Sequence, residues 1–107
     1  MNIQEFEYKA ETAVALLKQL AGKPRLMLLC HLAKGEKSVG QLGHLVGLRS
    51  SAVSQHLALM RAEGLVGARR AGTTVYYRLT NEVVRELIAV LYRHHCEREG
   101  PPVAASH

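Results

Sequence analysis

Apolar residues recur along this chain with helical spacing in most segments and with strand-like composition in only one. Phe6, Ala10, Ala13, Val14, Leu17 and Leu20 keep a broad apolar face, and Asn2 with Glu5 has capping-box spacing, so a first helix is predicted to run to about Ala21. Gly22 breaks it. Pro24 suits the start of a second helix that closes at Gly35. That segment, RLMLLCHLAKG, is apolar nearly all round, which places Leu26, Met27, Leu28, Leu29 and Leu32 at the centre of the expected core, with Cys30 among them. Ser38 and Gln41 form a second capping-box signal, opening a short helix with Leu42 and Leu45 inward and Gly47 at its end.

Residues 48–66 have two different faces. With Ser50 as N-cap and Ser51 in the first turn, Val53, Leu57 and Met60 fall at i, i+4 and i+7 and face a core, while Ser51, Ser54, Gln55 and Arg61 point outward. Gly64 ends the helix. Two helices joined by a turn of three or four residues containing Gly make a helix-turn-helix, in which the first braces the second against a duplex. Ser, Gln and Arg read base edges and grip phosphates, although the same outward face also suits an ordinary helix that meets water. Beyond it, LVGARR and TVYYRLT read as the strands of a β-hairpin, with Ala71, Gly72 and Thr73 between them. Arg69, Arg70 and Arg78 cluster on this hairpin, placed either to track a DNA backbone or to be solvated. Asn81 or Thr80 caps a last helix, whose stripe of Val83, Val84, Leu87, Ile88, Leu91 and Tyr92 is wider than one small domain needs. With the first helix, that excess implies a two-fold dimer presenting two recognition helices.

The expected fold class is therefore mainly α with a small β-hairpin, a winged helix-turn-helix in the order helix, helix, helix-turn-helix, two-stranded wing, helix. One domain is expected over residues 1–98, with residues 99–107 a disordered tail of Gly, Pro and small side chains. Fourteen Lys and Arg against nine Asp and Glu leave a net charge of +5, which favours a polyanionic partner: nucleic acid first, anionic lipid second. No apolar run of membrane-spanning length and no secretory signal is visible, so a cytoplasmic protein is expected. In that reducing compartment Cys30 and Cys96 are not expected to form a permanent disulfide, and any pairing should be conditional. The thiolate is the reactive form, and His31, Arg93, His94 and His95 are candidates close in sequence to lower a thiol pKa; the alternative is that each Cys is a small buried hydrophobe. A Cys and His adjacent in sequence are not a catalytic arrangement, and no acid, oxyanion donor set or phosphate loop accompanies them, so no enzyme is expected.

The residues SSAVSQHLALMRAEGLV followed by RRAGTTVYYRL resemble the ArsR/SmtB family of winged-helix repressors, over about residues 5–98. The resemblance implies a homodimer that binds double-stranded operator DNA, an imperfect inverted repeat, and releases it when an inducer binds. By position, Ser51, Ser54, Gln55 and His56 match the base-reading part of the recognition helix, and Arg70, Gly72 and Thr73 match the wing; Arg49, Arg61 and Arg69 complete the expected DNA-binding set. Many members sense metals. One family site uses cysteines in the helix before the recognition turn, where this chain has Val39, Gly40, Gln41 and His44. The other falls on Asn81, Val83, His94 and Glu97, which keeps half of its ligands, so no resident metal or cofactor is expected. The segments LLCHL and LYRHHCE resemble the sulfide- and persulfide-sensing branch of the family, in which two cysteines at these positions join through a disulfide or polysulfide bridge and DNA affinity changes. The expected inducers are then reactive sulfur species or oxidants acting on Cys30 and Cys96. The competing readings are a metal-responsive repressor of the same family and a winged helix that binds another protein, against which Ser51, Ser54 and Gln55 offer little buried contact area.

Overall fold

The structure, a computed structural model, describes residues 1–96; the tail expected at 99–107 and the boundary at 98 lie outside the described residues. In chain order the elements are α1 (Ile3–Leu20), α2 (Lys23–Ala33), β1 (Lys37–Ser38), α3 (Val39–Val46), α4 (Ser50–Ala62), β2 (Val66–Ala71), β3 (Thr74–Leu79) and α5 (Glu82–His95). Three helices start where the sequence supplies a side-chain acceptor. Asn2 Oδ1 accepts the Glu5 N–H at 3.1 Å, and Asn81 Oδ1 accepts that of Val84 at 3.1 Å. Ser38 and Gln41 make a reciprocal capping box, at 3.2 Å and 2.8 Å. Each such cap contributes about 1 kcal/mol.

The core is built around α2, which packs against α1, α3, α5 and β3. Leu28, Leu29 and Leu32 of α2 meet Leu42 of α3, Val53, Leu57 and Met60 of α4, and Val84 and Ile88 of α5, all buried. Two expected core residues are not there: Met27 is 36 % exposed and Leu45 is 47 % exposed. At 100° per residue, Met27 falls on the far side of α2 from the arc formed by Leu28, Leu29 and Leu32. On α3 the inward stripe is Val39, Leu42, Gly43 and Val46, a face centred on a glycine that apolar patterning does not register, and Leu45 lies outside it.

Gly43 matters for a further reason. A Cβ built on it would lie 2.8 Å from the Leu48 carbonyl oxygen, and the Gly43 carbonyl itself accepts the N–H groups of Gly47 at 2.8 Å and Leu48 at 3.0 Å. The turn between α3 and α4 is thus folded directly onto α3. At the other end of α4, Gly64 (φ +80°) donates to Arg61 O at 3.1 Å and Leu65 to Met60 O at 2.9 Å, the paired bonds of a Schellman closure. This closure drops Leu65 into the core and launches β2.

The wing is larger than the hairpin read from sequence. β1, only two residues long, adds to it, giving an antiparallel sheet in the order β1-β3-β2 with Lys37 opposite Tyr77 and Ser38 opposite Tyr76. Two residues carry no periodicity, so patterning could not find this strand. Ala71 pairs with Thr74, which leaves a two-residue turn, Gly72 and Thr73, in place of the three residues expected. Two arginines tie elements together. Arg25 donates to Gln19 O at 2.9 Å and pairs with Glu63 at 2.8 Å, joining α1, α2 and the end of α4. Arg85 reaches Ala33 O at 3.2 Å and Leu79 O at 3.3 Å, fastening α5 to α2 and β3.

Because Gly43 has backbone where a side chain would go, Gly43→Ala is expected to destabilise the fold by about 1–3 kcal/mol, the usual cost of overpacking. Gly40→Ala, at an open position of the same helix, should be neutral or stabilising, and denaturant unfolding of the two variants checks this.

Candidate nucleic-acid interface and thiol pair

α4 starts one residue earlier than Ser50 as N-cap would require. Ser50 is already helical, Arg49 is the N-cap with extended backbone (ψ 150°), and its carbonyl accepts the Val53 N–H at 3.0 Å. No side chain caps this end, so its first N–H groups are available to an anionic oxygen. Val53, Leu57 and Met60 are fully buried, as patterning requires. That burial turns Ser51, Ser54, Gln55 and Arg61 to solvent, while His56 sits half-buried at the boundary between the faces. Ala58 and Leu59 continue the outward surface; Leu59 is 56 % exposed. A search for polar side chains passes over Leu59, yet apolar contact with thymine methyl groups is part of base reading.

The three wing arginines do not share one face. In the β2–β3 register Arg69 is opposite Tyr76 and Gly67 opposite Arg78, and directly opposed residues point to the same side. Arg70, opposite Val75, points to the other side, near the exposed turn residue Thr73. The Arg69 guanidinium is engaged: its Nε donates to both oxygens of Glu36 at 2.8 and 3.0 Å, Nη2 pairs with Oε1 at 2.8 Å, and the group lies over the Tyr76 ring, 5.1 Å from its centre. The hydrogen bond from Arg69 holds the Glu36 carboxyl below the usual carboxylate range, and the charges of Arg69 and Arg78 act in the same direction. Sequence reasoning missed Glu36. It belongs to a polar turn, and only the register of β1 brings it to the wing.

The two thiols are not joined. Cys30, on α2, is half-buried against the core, and Cys96, at the C-cap of α5, is exposed. Burial pushes the Cys30 thiol above its ordinary pKa, and Cys96 is near enough for its charge to push the same way. This is opposite to the lowering that neighbouring basic side chains were expected to produce; at Cys30 desolvation of the thiolate dominates. Glu97, the remaining position of the candidate metal set, lies outside the described residues. Apolar surface is left uncovered on α1, at Phe6, Val14 and Leu17, and on α5, at Val90, Leu91 and Tyr92. No helix among the described residues is long and apolar enough to cross a membrane.

A helix-turn-helix with an outward polar face, followed by a basic antiparallel wing, defines a winged-helix DNA-binding transcription regulator. The sequence profile described as bacterial regulatory protein, arsR family, matches residues 22–67. The transcriptional activator HlyU of Vibrio cholerae serotype O1 is 44 % identical over 97 residues, covering 91 % of this chain and 90 % of that protein. The crystal structure of the transcriptional repressor BigR from Xylella fastidiosa superposes with a TM-score of 0.84 at 38 % identity, covering 90 % of this chain and 98 % of that one. The homodimeric winged helix-turn-helix DNA-binding domain Mb0332 from Mycobacterium bovis superposes with a TM-score of 0.71 at 30 % identity, covering 90 % and 93 %. The chain belongs to the arsR family, a family of transcription regulators.

From the burial and charge of the two thiols, alkylation at pH 7.5 is expected to reach Cys96 first and Cys30 about tenfold more slowly or less. The gap should narrow as pH rises and the Cys30 thiol ionises. Peptide mass spectrometry of a timed iodoacetamide reaction checks both.

Proposed function

We propose that this chain is a dimeric, sequence-specific repressor whose operator affinity is switched by the Cys30/Cys96 pair. The observation that carries the DNA part is the division of α4, with one stripe fully buried and Ser51, Ser54 and Gln55 presented on the other side. In this reading Ser51, Ser54, Gln55 and His56 read base edges in the major groove. Arg49, Arg61, Arg70 and Thr73 engage phosphates, Arg49 at the open end of α4 and Arg70 at the wing tip; Arg69, on the opposite wing face and paired with Glu36, belongs to the set without a phosphate contact of its own. The uncovered apolar faces of α1 and α5 meet their copies across a two-fold axis, which sets two recognition helices on an imperfect inverted repeat. The homodimeric Mycobacterium bovis relative supports that assembly. Such a regulator acts in the cytoplasm, where DNA and a reducing thiol pool coexist.

The placement of the thiols supports the switch. Cys96 is open to solvent, whereas Cys30 sits half-buried on the central helix, so a small persulfide meets Cys96 first. Sulfur transfer from a low-molecular-weight persulfide leaves a persulfide on Cys96 and releases the donor as its thiol. Attack by the Cys30 thiolate on the Cys96 Sγ then forms the Cys30–Cys96 disulfide and releases the outer sulfur as hydrogen sulfide. The chain loses two electrons, which the transferred sulfur accepts. Where a second equivalent of the donor has also converted Cys30 to a persulfide, attack of its outer sulfur on Cys96 Sγ releases hydrogen sulfide and leaves a three-sulfur bridge. Such a bridge ties α2 to the end of α5, and through α5 to the dimer contact. The effect on DNA is a population shift between two arrangements of the reading heads, for which couplings of about 5–150-fold are typical.

Duplexes selected from a random pool provide the operator. Gln55→Ala is expected to lower discrimination between selected and random duplex. Arg70→Ala should weaken both alike and make the dependence of log affinity on log salt shallower, by about 0.9 for each phosphate no longer neutralised. Exposure of the reduced protein to a persulfide donor should link Cys30 to Cys96 in the intact mass spectrum, with whole sulfur atoms added if a polysulfide forms, and affinity should fall only in the linked species. Affinity that does not change after linkage would remove the switch and leave Cys30 as a side chain on the flank of the core and Cys96 as an exposed thiol.

A further inference from the structure

The Glu36 carboxylate occupies an unusual place. It immediately precedes β1, and continuing the β1–β3 register puts Glu36 across from Arg78 on the central strand. From that edge its side chain spans β3 to reach Arg69 on β2, the far strand of the sheet, through the two bonds to Nε and the contact to Nη2 described above. Tyr76 lies beneath, stacked under the Arg69 guanidinium. Gly67 completes the arrangement. A Cβ there would come within 3.3 Å of the Arg78 guanidinium and 3.0 Å of Thr80 Cγ2, so its absence lets Arg78 lie across β2. The register thus sets Arg69, Tyr76 and Arg78 on a single face of the wing, and the bond from Arg69 to Glu36 ties that face to the turn leaving α2.

We propose that Glu36 is a positioning residue for operator binding: it uses Arg69 as a strap across the sheet to hold the wing, and with it Arg70 and Thr73, at a fixed angle to α4. The inference rests on the reading of the wing as a DNA contact and deepens it by giving Arg69 a different role from Arg70. A β-hairpin closed by a two-residue turn pivots at its base unless something outside the hairpin restrains it, and an isolated hairpin has little stability of its own. β1 supplies two residues of backbone pairing. The Glu36–Arg69 pair adds a restraint across the full width of the sheet. The opposite role is a cover, in which Glu36 neutralises an arginine that would otherwise grip a phosphate. Strap and cover predict effects of opposite sign when the carboxylate is removed.

The test is operator titration over a range of salt with three variants. Glu36→Gln keeps the size of the side chain and removes its charge; as a strap its loss lowers affinity about two- to fivefold, the scale of an exposed pair, with an unchanged salt slope. Arg69→Glu lowers affinity further. The double variant Glu36→Arg with Arg69→Glu preserves net charge and restores the pair in reverse, so affinity should return to within about twofold of the parent with the parent's slope. Unfolding curves of all three are expected to match the parent, because both partners are exposed. Affinity that rises with Glu36→Gln, with a slope steeper by about 0.9 per half-site, would overturn the proposal in favour of a masked phosphate contact. Unchanged affinity for that variant, or failure of the reversed pair to recover, would overturn it as well. Failure of the underlying reading looks different: Arg70→Ala would then leave affinity untouched whatever Glu36 does.

Discussion

The burial of Val53, Leu57 and Met60 in the core, where α4 packs on α3 and β2, is the constraint on which the rest of the molecule depends. Each side chain contributes on the order of 1.5–3 kcal/mol by leaving water, and no rotation of α4 other than the observed one buries all three. The direction of Ser51, Ser54 and Gln55 is a consequence of that burial and needs no interaction of their own. The two ends of α4 are held by independent means: the Leu48 carbonyl seated against Gly43 at the start, and the Gly64 closure with the Arg25–Glu63 pair at the finish. A reading helix held at both ends and along its whole inner face loses little conformational freedom on meeting DNA.

The same packing makes α2 the element through which changes spread. It touches α1, α3, α5 and β3, and it carries Cys30 on the flank of the core and Arg25 at its start. Covalent attachment of α2 to the end of α5 would therefore act on the helices that bear the proposed dimer contact and on the neighbour of the reading helix at once. Interiors packed at crystal-like density transmit such shifts rather than absorb them. The wing is held differently, by backbone pairing and by charge at the surface, through Glu36 and Arg69. Salt therefore weakens the wing's side-chain restraint more readily than it weakens the seating of α4.

The two cysteines show how environment overrides composition. Basic residues crowd both of them in sequence, which suggests activated thiolates. In the fold Cys30 sits half-buried on the flank of the core, where the loss of solvation pushes its thiol up, while Cys96 is left in water. The two thiols are thus unequally placed, one open to solvent at the end of α5 and one half-buried on α2.

The sequence by itself determined the helices, the helix-turn-helix, the strand runs of the wing and the polar face of α4. Each of these rests on local periodicity or on a cap within a few residues, and side chains obey such rules before any tertiary contact forms. It misplaced Ser50 by one position, Met27 and Leu45 by face, and Ala71 by one turn residue, all where a neighbouring element decides between nearly equal local choices. Tertiary structure alone decided what depends on partners distant in the chain: the strand at Lys37 and Ser38, the contact of Gly43 with Leu48, the division of Arg69 from Arg70, and the strap from Glu36 across the sheet. The physical reason is that pairing and charge complementarity act through space, so a residue such as Glu36 acquires its role only when the register of β1 carries it to an arginine thirty-three residues away.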